Sequence, residues 1–330
     1  MNTPELRQLG RSGIAVSPIA LGCWPIAGMA SAGVNDSDSL AAITASVEQG
    51  VNFFDTAYCY GMNGESERLL ALALRSRRDK IVLATKCGIE WAPPRQQIID
   101  GRPATLRRQF EESLRRLATD HVELLYLHAP DPQVPVAESA GELKRLLDEG
   151  KALSLGASNV TLAQLEAFTS VAPLAAVQPP YNMLQRGIEG DLVPWCRARD
   201  VAVVVYWPLL KGLLGGRIPR EHVFPTSDSR HKYPMFQGEE WQRNMDFVDR
   251  LRTIAADVSI TLSRPVTVAQ LVIAWTIEQP GITVALCGAK NAAQATENAG
   301  AAGVTFTAAQ RSAITQALAD RGEAVTKSPV

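Results

Sequence analysis

Four side chains in this sequence form a set able to move a proton to or from a carbonyl oxygen: Asp55, Tyr60, Lys86 and His128. A phenol ionises at about pH 10, so Tyr60 alone is a poor acid near neutrality. An ammonium group beside it favours the phenolate, so Lys86 is expected to draw that value down. Asp55 on the far side would hold the ammonium charged and in place. An imidazole N–H from His128 would orient a carbonyl oxygen against the phenol and polarise it. No side chain delivers a hydride, so reduction by this set requires a cofactor. Taken singly, each residue has a plainer reading. Asp55 before Thr56 suits a helix cap, Lys86 a solvated strand end, His128 a satisfied core histidine and Tyr60 a packing aromatic.

Asp55, Lys86 and His128 share one feature: each ends a recurring apolar run, with Tyr60 five residues beyond Asp55. Eight short apolar, β-branched runs recur along the chain: Ile19–Gly22, Val51–Asp55, Ile81–Lys86, Val122–His128, Ala152–Ser158, Ala175–Gln178, Val201–Tyr206 and Ile282–Gly288. Each reads as a strand buried on both faces. Amphipathic stretches lie between them. Leu106, Phe110, Leu114 and Leu117 recur at helical spacing, as do Val136, Ala140, Leu143 and Leu147 before Gly150. Leu40, Ile43 and Val47 mark another helix, and Trp241 to about Leu262 an additional one. Strands alternating with helices predict parallel pairing, and eight repeats predict a single closed (β/α)8 barrel domain over residues 1–330. Leu6 to Pro18 is expected to be a β-hairpin capping the barrel floor. Lys211 to Glu239 and Arg95 to Pro103 exceed ordinary loop length, and such loops on a barrel are often functional. The polar tail from Arg321 to Val330 is expected to be loose.

Chemistry on such a barrel gathers where the strands end. The ends here are Cys23 and Trp24, Asp55, Lys86, His128, Ser158 with Asn159, Gln178, Tyr206, and Gly288 with Lys290. Nearly every one hydrogen-bonds, ionises or stacks. Structural accidents, being independent, would not line one rim of one barrel.

Composition excludes other classes. With 33 basic and 34 acidic residues the net charge is −1, which gives no reason to expect a nucleic-acid partner. The longest apolar run, Val201 to Leu210, is about half a membrane span, and the N-terminal residues lack a secretory apolar stretch. The five cysteines are far apart and form no Cys-x-x-Cys pair, and the four histidines form no His-x-x-x-His pair. A disulfide framework and a metal site are therefore not expected, and the cytoplasm is the expected location. Neither a Gly-x-Gly-x-x-Gly nor a Walker-type loop is present, which disfavours a Rossmann dehydrogenase.

The stretch Phe54-Asp55-Thr56-Ala57-Tyr58-Cys59-Tyr60-Gly61, followed by Gly64-Glu65, resembles the Asp-Thr-Ala…Tyr-Gly signature of the aldo-keto reductase superfamily. Thr85-Lys86 and Leu127-His128-Ala-Pro-Asp131 match the family's strand-end motifs in order. The likeness covers essentially the whole chain and is greatest to longer bacterial members, which are also similar to the β-subunits of voltage-gated potassium channels. It implies Tyr60 as general acid, Lys86 and Asp55 as its tuning pair, and His128 as the group orienting the carbonyl. It further implies that NADP(H), with NAD(H) as the other option, binds on the barrel loops. Ser158, Asn159, Gln178 and Asp55 would border the nicotinamide, Tyr206 would stack on it, and Cys23 and Trp24 would flank it. Trp207, Pro208, Leu209, Gly212 and Arg217 would lie along the pyrophosphate. Gly288, Lys290, Gln294, Glu297 and Asn298 would form the adenosine site, with Lys290 toward a ribose 2′-phosphate. Arg230 is a further phosphate or adenine contact or, as readily, a solvated loop residue. Three positions depart from the family pattern: Trp207 follows the stacking tyrosine, Cys287 stands where proline is frequent, and Lys290 where arginine is frequent.

The substrate expected is a small carbonyl compound or alcohol, held by Trp24, Tyr58, Trp91 and His128, with the loop from His231 to Phe236 nearby. The working unit is a monomer or homo-oligomer. Two other readings stay open at this level. One is a nucleotide-binding regulatory or redox-sensing subunit with little turnover. The other is a Schiff-base lyase using Lys86 as nucleophile.

Overall fold

The computed structural model of the protein describes residues 5–29, 33–226 and 228–326. All eight apolar runs contain a strand: β1 (Ile19–Gly22), β2 (Phe53–Asp55), β3 (Val82–Cys87), β4 (Leu124–Leu127), β5 (Leu155–Ser158), β6 (Ala176–Gln178), β7 (Ala202–Val205) and β8 (Val284–Gly288). They follow one another around a closed parallel barrel, which β8 completes by pairing Ala285 with Ile19 through to Gly288 with Gly22.

Helices fill the crossovers: α1 (Asp36–Glu48), α2 (Glu65–Leu74), α3 (Pro103–Leu117), α4 (Val136–Asp148), α5 (Leu162–Thr169), α6 (Leu192–Arg199), α7 (Gly238–Thr261), α8 (Val268–Glu278), α9 (Ala292–Ala299) and α10 (Ala308–Arg321). Local chemistry sets their ends. Pro103 opens α3, Leu106, Phe110, Leu114 and Leu117 bury its inner face, and Ala118 stops it in a left-handed conformation. Thr267 with Gln270, and Thr307 with Gln310, form capping boxes at the starts of α8 and α10.

Strand parity decides which side chains reach the active face. Phe53, Val82, Ala84, Leu124, Tyr126, Ala176, Ala202, Val204, Val284 and Leu286 fill the barrel interior. Their odd-step neighbours, such as Phe54, Leu83, Leu125, Val203 and Cys287, pack outward against the helices. Because side chains alternate along a strand, Asp55, Lys86, His128, Gln178 and Tyr206 inherit the inward direction. Interior packing is tight. A Cβ at Gly156 would lie 2.4 Å from the Tyr126 ring, so this position admits only glycine beside that tyrosine.

Arg7–Gln8 pairs antiparallel with Ala15–Val16, forming the expected floor hairpin. Its Leu9 and Val16 are fully buried in the interior cluster, worth roughly 2–3 kcal/mol for a leucine. Asn52, just before β2, anchors the hairpin by accepting from Ser17 N at 2.7 Å and donating to the Ala15 carbonyl at 2.9 Å. The segment after β3 is more ordered than a loop: Ile89–Ala92 and Gln96–Ile99 form a two-stranded antiparallel ribbon. The long connection after β7 is built from short 3₁₀ turns at Leu210–Gly215, Ser229–Lys232 and Pro234–Phe236.

The expectation of a loose tail from Arg321 is corrected over its described part. The Arg321 side chain is buried, pairs with Glu240, and donates to Asn244 Oδ1 from both Nε and Nη2. Glu240 also accepts from Val325 N at 2.8 Å, so the main chain is held beyond the helix. Residues 327–330 lie outside the described part. No described helix is long and apolar enough to cross a membrane.

Candidate active site

The turn after β2 places Tyr60 over the barrel mouth. Thr56 N and Tyr58 N bond to the carbonyls of Ala84 and Lys86, which splices the turn onto β3. Tyr60 N then closes onto Ala57 O, and Thr56 Oγ1 meets Ser66 Oγ of α2 at 2.8 Å. Gly61 follows with φ 107°, where a Cβ would fall 1.9 Å from Glu65 Oε2; only glycine fits there.

Lys86 Nζ lies at the centre. It donates to Asp55 Oδ1 at 2.5 Å, to the Thr56 carbonyl at 2.8 Å and to Tyr60 Oη at 3.3 Å. The Lys86 and Asp55 side chains are 0% and 2% exposed, so water does not compete. The second carboxylate oxygen accepts from Gln178 Nε2 at 2.8 Å. Burial pushes Asp55 above the ordinary carboxylate value, while the Lys86 charge and the hydrogen bonds from Lys86 and Gln178 pull against it. Burial, reinforced by the Asp55 charge, pushes the Tyr60 phenol well above its ordinary value. Lys86 Nζ is within hydrogen-bond reach of the phenol as expected, but burial and the Asp55 charge set the direction of the shift. Tyr60 is held as a protonated phenol.

His128 follows β4, its N–H bonded to Cys87 O at 2.9 Å. Its ring meets Tyr60 edge to face at 5.9 Å. Desolvation, with help from the Lys86 charge, holds it well below the usual imidazole value, so the ring is neutral. Trp24 abuts Tyr60 at 5.1 Å, and Trp91 comes within 6.5 Å of Trp24. Trp91 Nε1 donates to Cys59 O at 2.7 Å, tying the ribbon after β3 to the Tyr60 turn. One proton-bearing phenol therefore lies among an ammonium, a neutral imidazole and two indoles.

A second group lines the adjoining rim. Ser158 Oγ donates to Gln178 O, and Asn159 Nδ2 donates to His128 O. Tyr206 Oη donates to Asn159 Oδ1 at 2.8 Å, fixing the Tyr206 ring. Trp207, whose φ is 62°, turns the chain sharply and meets Tyr206 at 5.7 Å. The Pro208, Leu209 and Gly212 turn follows, with Lys211 Nζ 4.5 Å from the Trp207 ring and 4.6 Å from that of Tyr233. Arg230 pairs with Asp228 at 2.6 Å and reaches Lys211 O at 3.5 Å. Burial and the nearby Arg230 charge push Lys290 down, with Asp228 opposing. Lys290 N and Asn298 Nδ2 are held by Gln294 Oε1 and Gly288 O, while Arg217 pairs with Glu297 at 2.6 Å.

Two expected site residues turn elsewhere. Tyr58 stacks under Arg116, whose guanidinium carbon lies 4.5 Å from the ring, and its hydroxyl donates to Glu112. It braces the turn against α3 instead of walling a substrate pocket. Cys23 packs in the core between barrel and helices, leaving its backbone at the mouth. In the loop from His231 to Phe236, Met235 and Phe236 are buried in the outer core, and Tyr233 faces Trp207. The sequence reading missed the Thr56 carbonyl as the third Lys86 partner, since no side chain signals it. It also missed Asp228 and Lys211, whose only sequence signal is proximity to Arg230 and Gly212.

Residues 18–319 match the model of the aldo/keto reductase family. Aldo-keto reductase YhdN of Bacillus subtilis (strain 168) is 34% identical over 292 residues, covering 88% of this chain and 86% of that protein. The structure of the glycerol dehydrogenase AKR11B4 from Gluconobacter oxydans superposes with a TM-score of 0.88 at 32% identity, over 100% of this chain and 99% of the other. That of aldo-keto reductase AKR11C1 from Bacillus halodurans (holo form) gives 0.78 at 24% identity, over 98% of both chains, a likeness of fold.

Proposed function

Because the chain belongs to the aldo/keto reductase family, whose members are NAD(P)-dependent oxidoreductases of carbonyl and alcohol groups, we propose that it interconverts a small carbonyl compound and its alcohol with NADP(H). The whole chain would work as one barrel domain with Asp55, Tyr60, Lys86 and His128 as its reacting set. The observation that carries this reading is the arrangement at Lys86 Nζ, which joins a buried Asp55 and the Thr56 carbonyl to the Tyr60 hydroxyl at the barrel mouth.

The residues present fit a dinucleotide phosphate. Burial and the Arg230 charge disfavour the Lys290 ammonium, with the Asp228 carboxylate opposing them and paired to Arg230. An anionic 2′-phosphate would relieve that repulsion. Lys290 and Arg230 would hold it, Tyr206 would offer its ring to the nicotinamide, and Ser158, Asn159 and Gln178 would border the carboxamide. The turn through Trp207, Pro208, Leu209, Gly212 and Arg217 would follow the pyrophosphate, with Gln294, Glu297 and Asn298 beyond. When bound, the dinucleotide supplies the hydride in reduction and accepts it in oxidation.

The chain's own residues do the rest. His128 orients the carbonyl oxygen, and Trp24 with Trp91 shields it from water. Tyr60 Oη holds the proton that the oxygen takes up in reduction. Lys86 and Asp55 steady the phenolate that remains, and in oxidation that phenolate takes the proton from the alcohol. The raised Tyr60 value keeps the phenol protonated through the neutral range, and release of its proton relies on Lys86 and Asp55 to stabilise the phenolate. Lys86 is a poor nucleophile for a Schiff base: its ammonium is held by Asp55 at 2.5 Å and directed at two further oxygens.

The test is NADPH consumption by the purified protein against a panel of aldehydes, ketones and sugars, beside Tyr60→Phe. We expect the variant to bind NADPH as before and to lose about 10²–10⁴-fold in kcat, the scale of a missing general acid. A variant that retained full kcat would overturn the assignment.

A further inference from the structure

Resting on the carbonyl–alcohol reading above, we propose that Cys59 is a positioning residue that sets the tautomer of His128: its thiol donates to Nδ1, so the ring proton sits on Nε2 and faces the substrate oxygen. The geometry is a Sγ···Nδ1 approach of 3.6 Å, within the longer reach of sulfur. Both ends are fixed independently. The Cys59 carbonyl accepts from Trp91 Nε1 at 2.7 Å, and Tyr60 N closes the turn onto Ala57 O. The main-chain groups of His128 are both engaged, N–H with Cys87 O and C=O with Asn159 Nδ2. Among the described residues, no other group hydrogen-bonds to the ring. Its orientation rests on the Cys59 thiol and the edge contact with Tyr60.

A neutral imidazole carries one proton, and its location decides the sign of the interaction with a carbonyl oxygen. On Nε2 it is a donor that orients and polarises the oxygen. On Nδ1 it leaves a bare lone pair at Nε2 that repels the oxygen. Cys59 discriminates between these states because a thiol donates to nitrogen better than its sulfur accepts from it. Burial pushes this thiol up to about 12, so it keeps its proton through the working pH range. The ring is neutral for the desolvation reason already given. Cys59 acts as a positioning residue through His128, whose Nδ1 its thiol approaches.

The test uses protein labelled with nitrogen-15 at histidine. The chain has four histidines, and His128→Gln identifies the signals of this one. We expect a pyridine-type Nδ1 and a pyrrole-type Nε2 in the wild type, and a mixed or inverted pattern in Cys59→Ala. That variant should lose about tenfold in kcat/KM for reduction, the loss of one modest hydrogen bond, with NADPH affinity unchanged. Cys59→Ser, which restores a donor, should recover the wild-type pattern and most of the rate. A protonated Nδ1 in the wild type would overturn the proposal without any variant. So would a Cys59→Ala spectrum identical to wild type, or an altered spectrum with undiminished kcat/KM. Absence of carbonyl turnover by the wild type would sink the proposed function instead, and the nitrogen signals would still report the tautomer.

Discussion

Lys86 has three N–H bonds, and the structure directs all of them: one to a carboxylate, one to a main-chain carbonyl, one to the phenol. The ammonium is thereby fixed before substrate arrives, so little reorganisation accompanies the reaction. Asp55, Lys86 and His128 were legible in the sequence because each ends an apolar run and strand parity carries that position into the barrel mouth, whereas Tyr60, in the turn after β2, was legible through the signature it shares with Asp55. Their protonation was not legible. Whether Lys86 lowers the Tyr60 value or burial raises it depends on water access, which residue types alone do not specify. Tyr58 was misplaced for a related reason: it lies in a turn, where the alternation that orients strand residues does not operate. On the proposed reading, nucleotide choice falls to one side chain, Lys290. Replacing Lys290 by methionine keeps the aliphatic stem and removes the charge. We expect Lys290→Met to weaken NADPH about tenfold while leaving NADH nearly unchanged, as read by fluorescence titration of both. Equal weakening of both nucleotides would move the 2′-phosphate contact elsewhere.

At the level of elements, the turn joining β2 to α2 is the most demanding piece of chain. Gly61 adopts a backbone conformation that side-chain-bearing residues avoid, and Glu65 occupies the space a Cβ would need. Gly61→Ala should therefore lower stability by roughly 2–3 kcal/mol, from strain and displaced packing. Because Tyr60 is the preceding residue, kcat should fall as well. Urea unfolding beside initial rates checks both; an alanine variant with unchanged midpoint and rate would contradict this account. The barrel strands were readable as β-branched runs bounded by turn residues. The ribbon after β3 was not. Gln96-Gln97-Ile98-Ile99 lacks the alternation of a half-buried strand, and Pro93-Pro94 between the two halves reads as loop. Only pairing with Ile89–Ala92 makes it a strand.

Across the whole molecule, the C-terminal helix is tied to the segment that carries Arg230. Arg321 donates to Asn244 Oδ1, and Asn244 Nδ2 donates in turn to Met235 O at 2.9 Å, in the segment that carries Arg230. A basic residue at the end of a helix ordinarily faces solvent, which is why the sequence suggested a loose tail. Removing its side chain leaves Glu240 without its buried partner, a loss on the order of 3 kcal/mol. We expect Arg321→Ala to lower the melting temperature and to weaken NADPH several-fold, whereas a substitution at exposed Arg77 should do neither. Calorimetry with and without nucleotide distinguishes this from a purely local effect. The ribbon after β3 has a different meaning at this scale. Its two strands pair with each other and with no barrel strand, and its Trp91 is fastened to the Tyr60 turn through one indole N–H. A ribbon sequence exchanged around a retained Trp91 would keep this tie, whereas one that lost the indole would loosen the Cys59 end that holds His128.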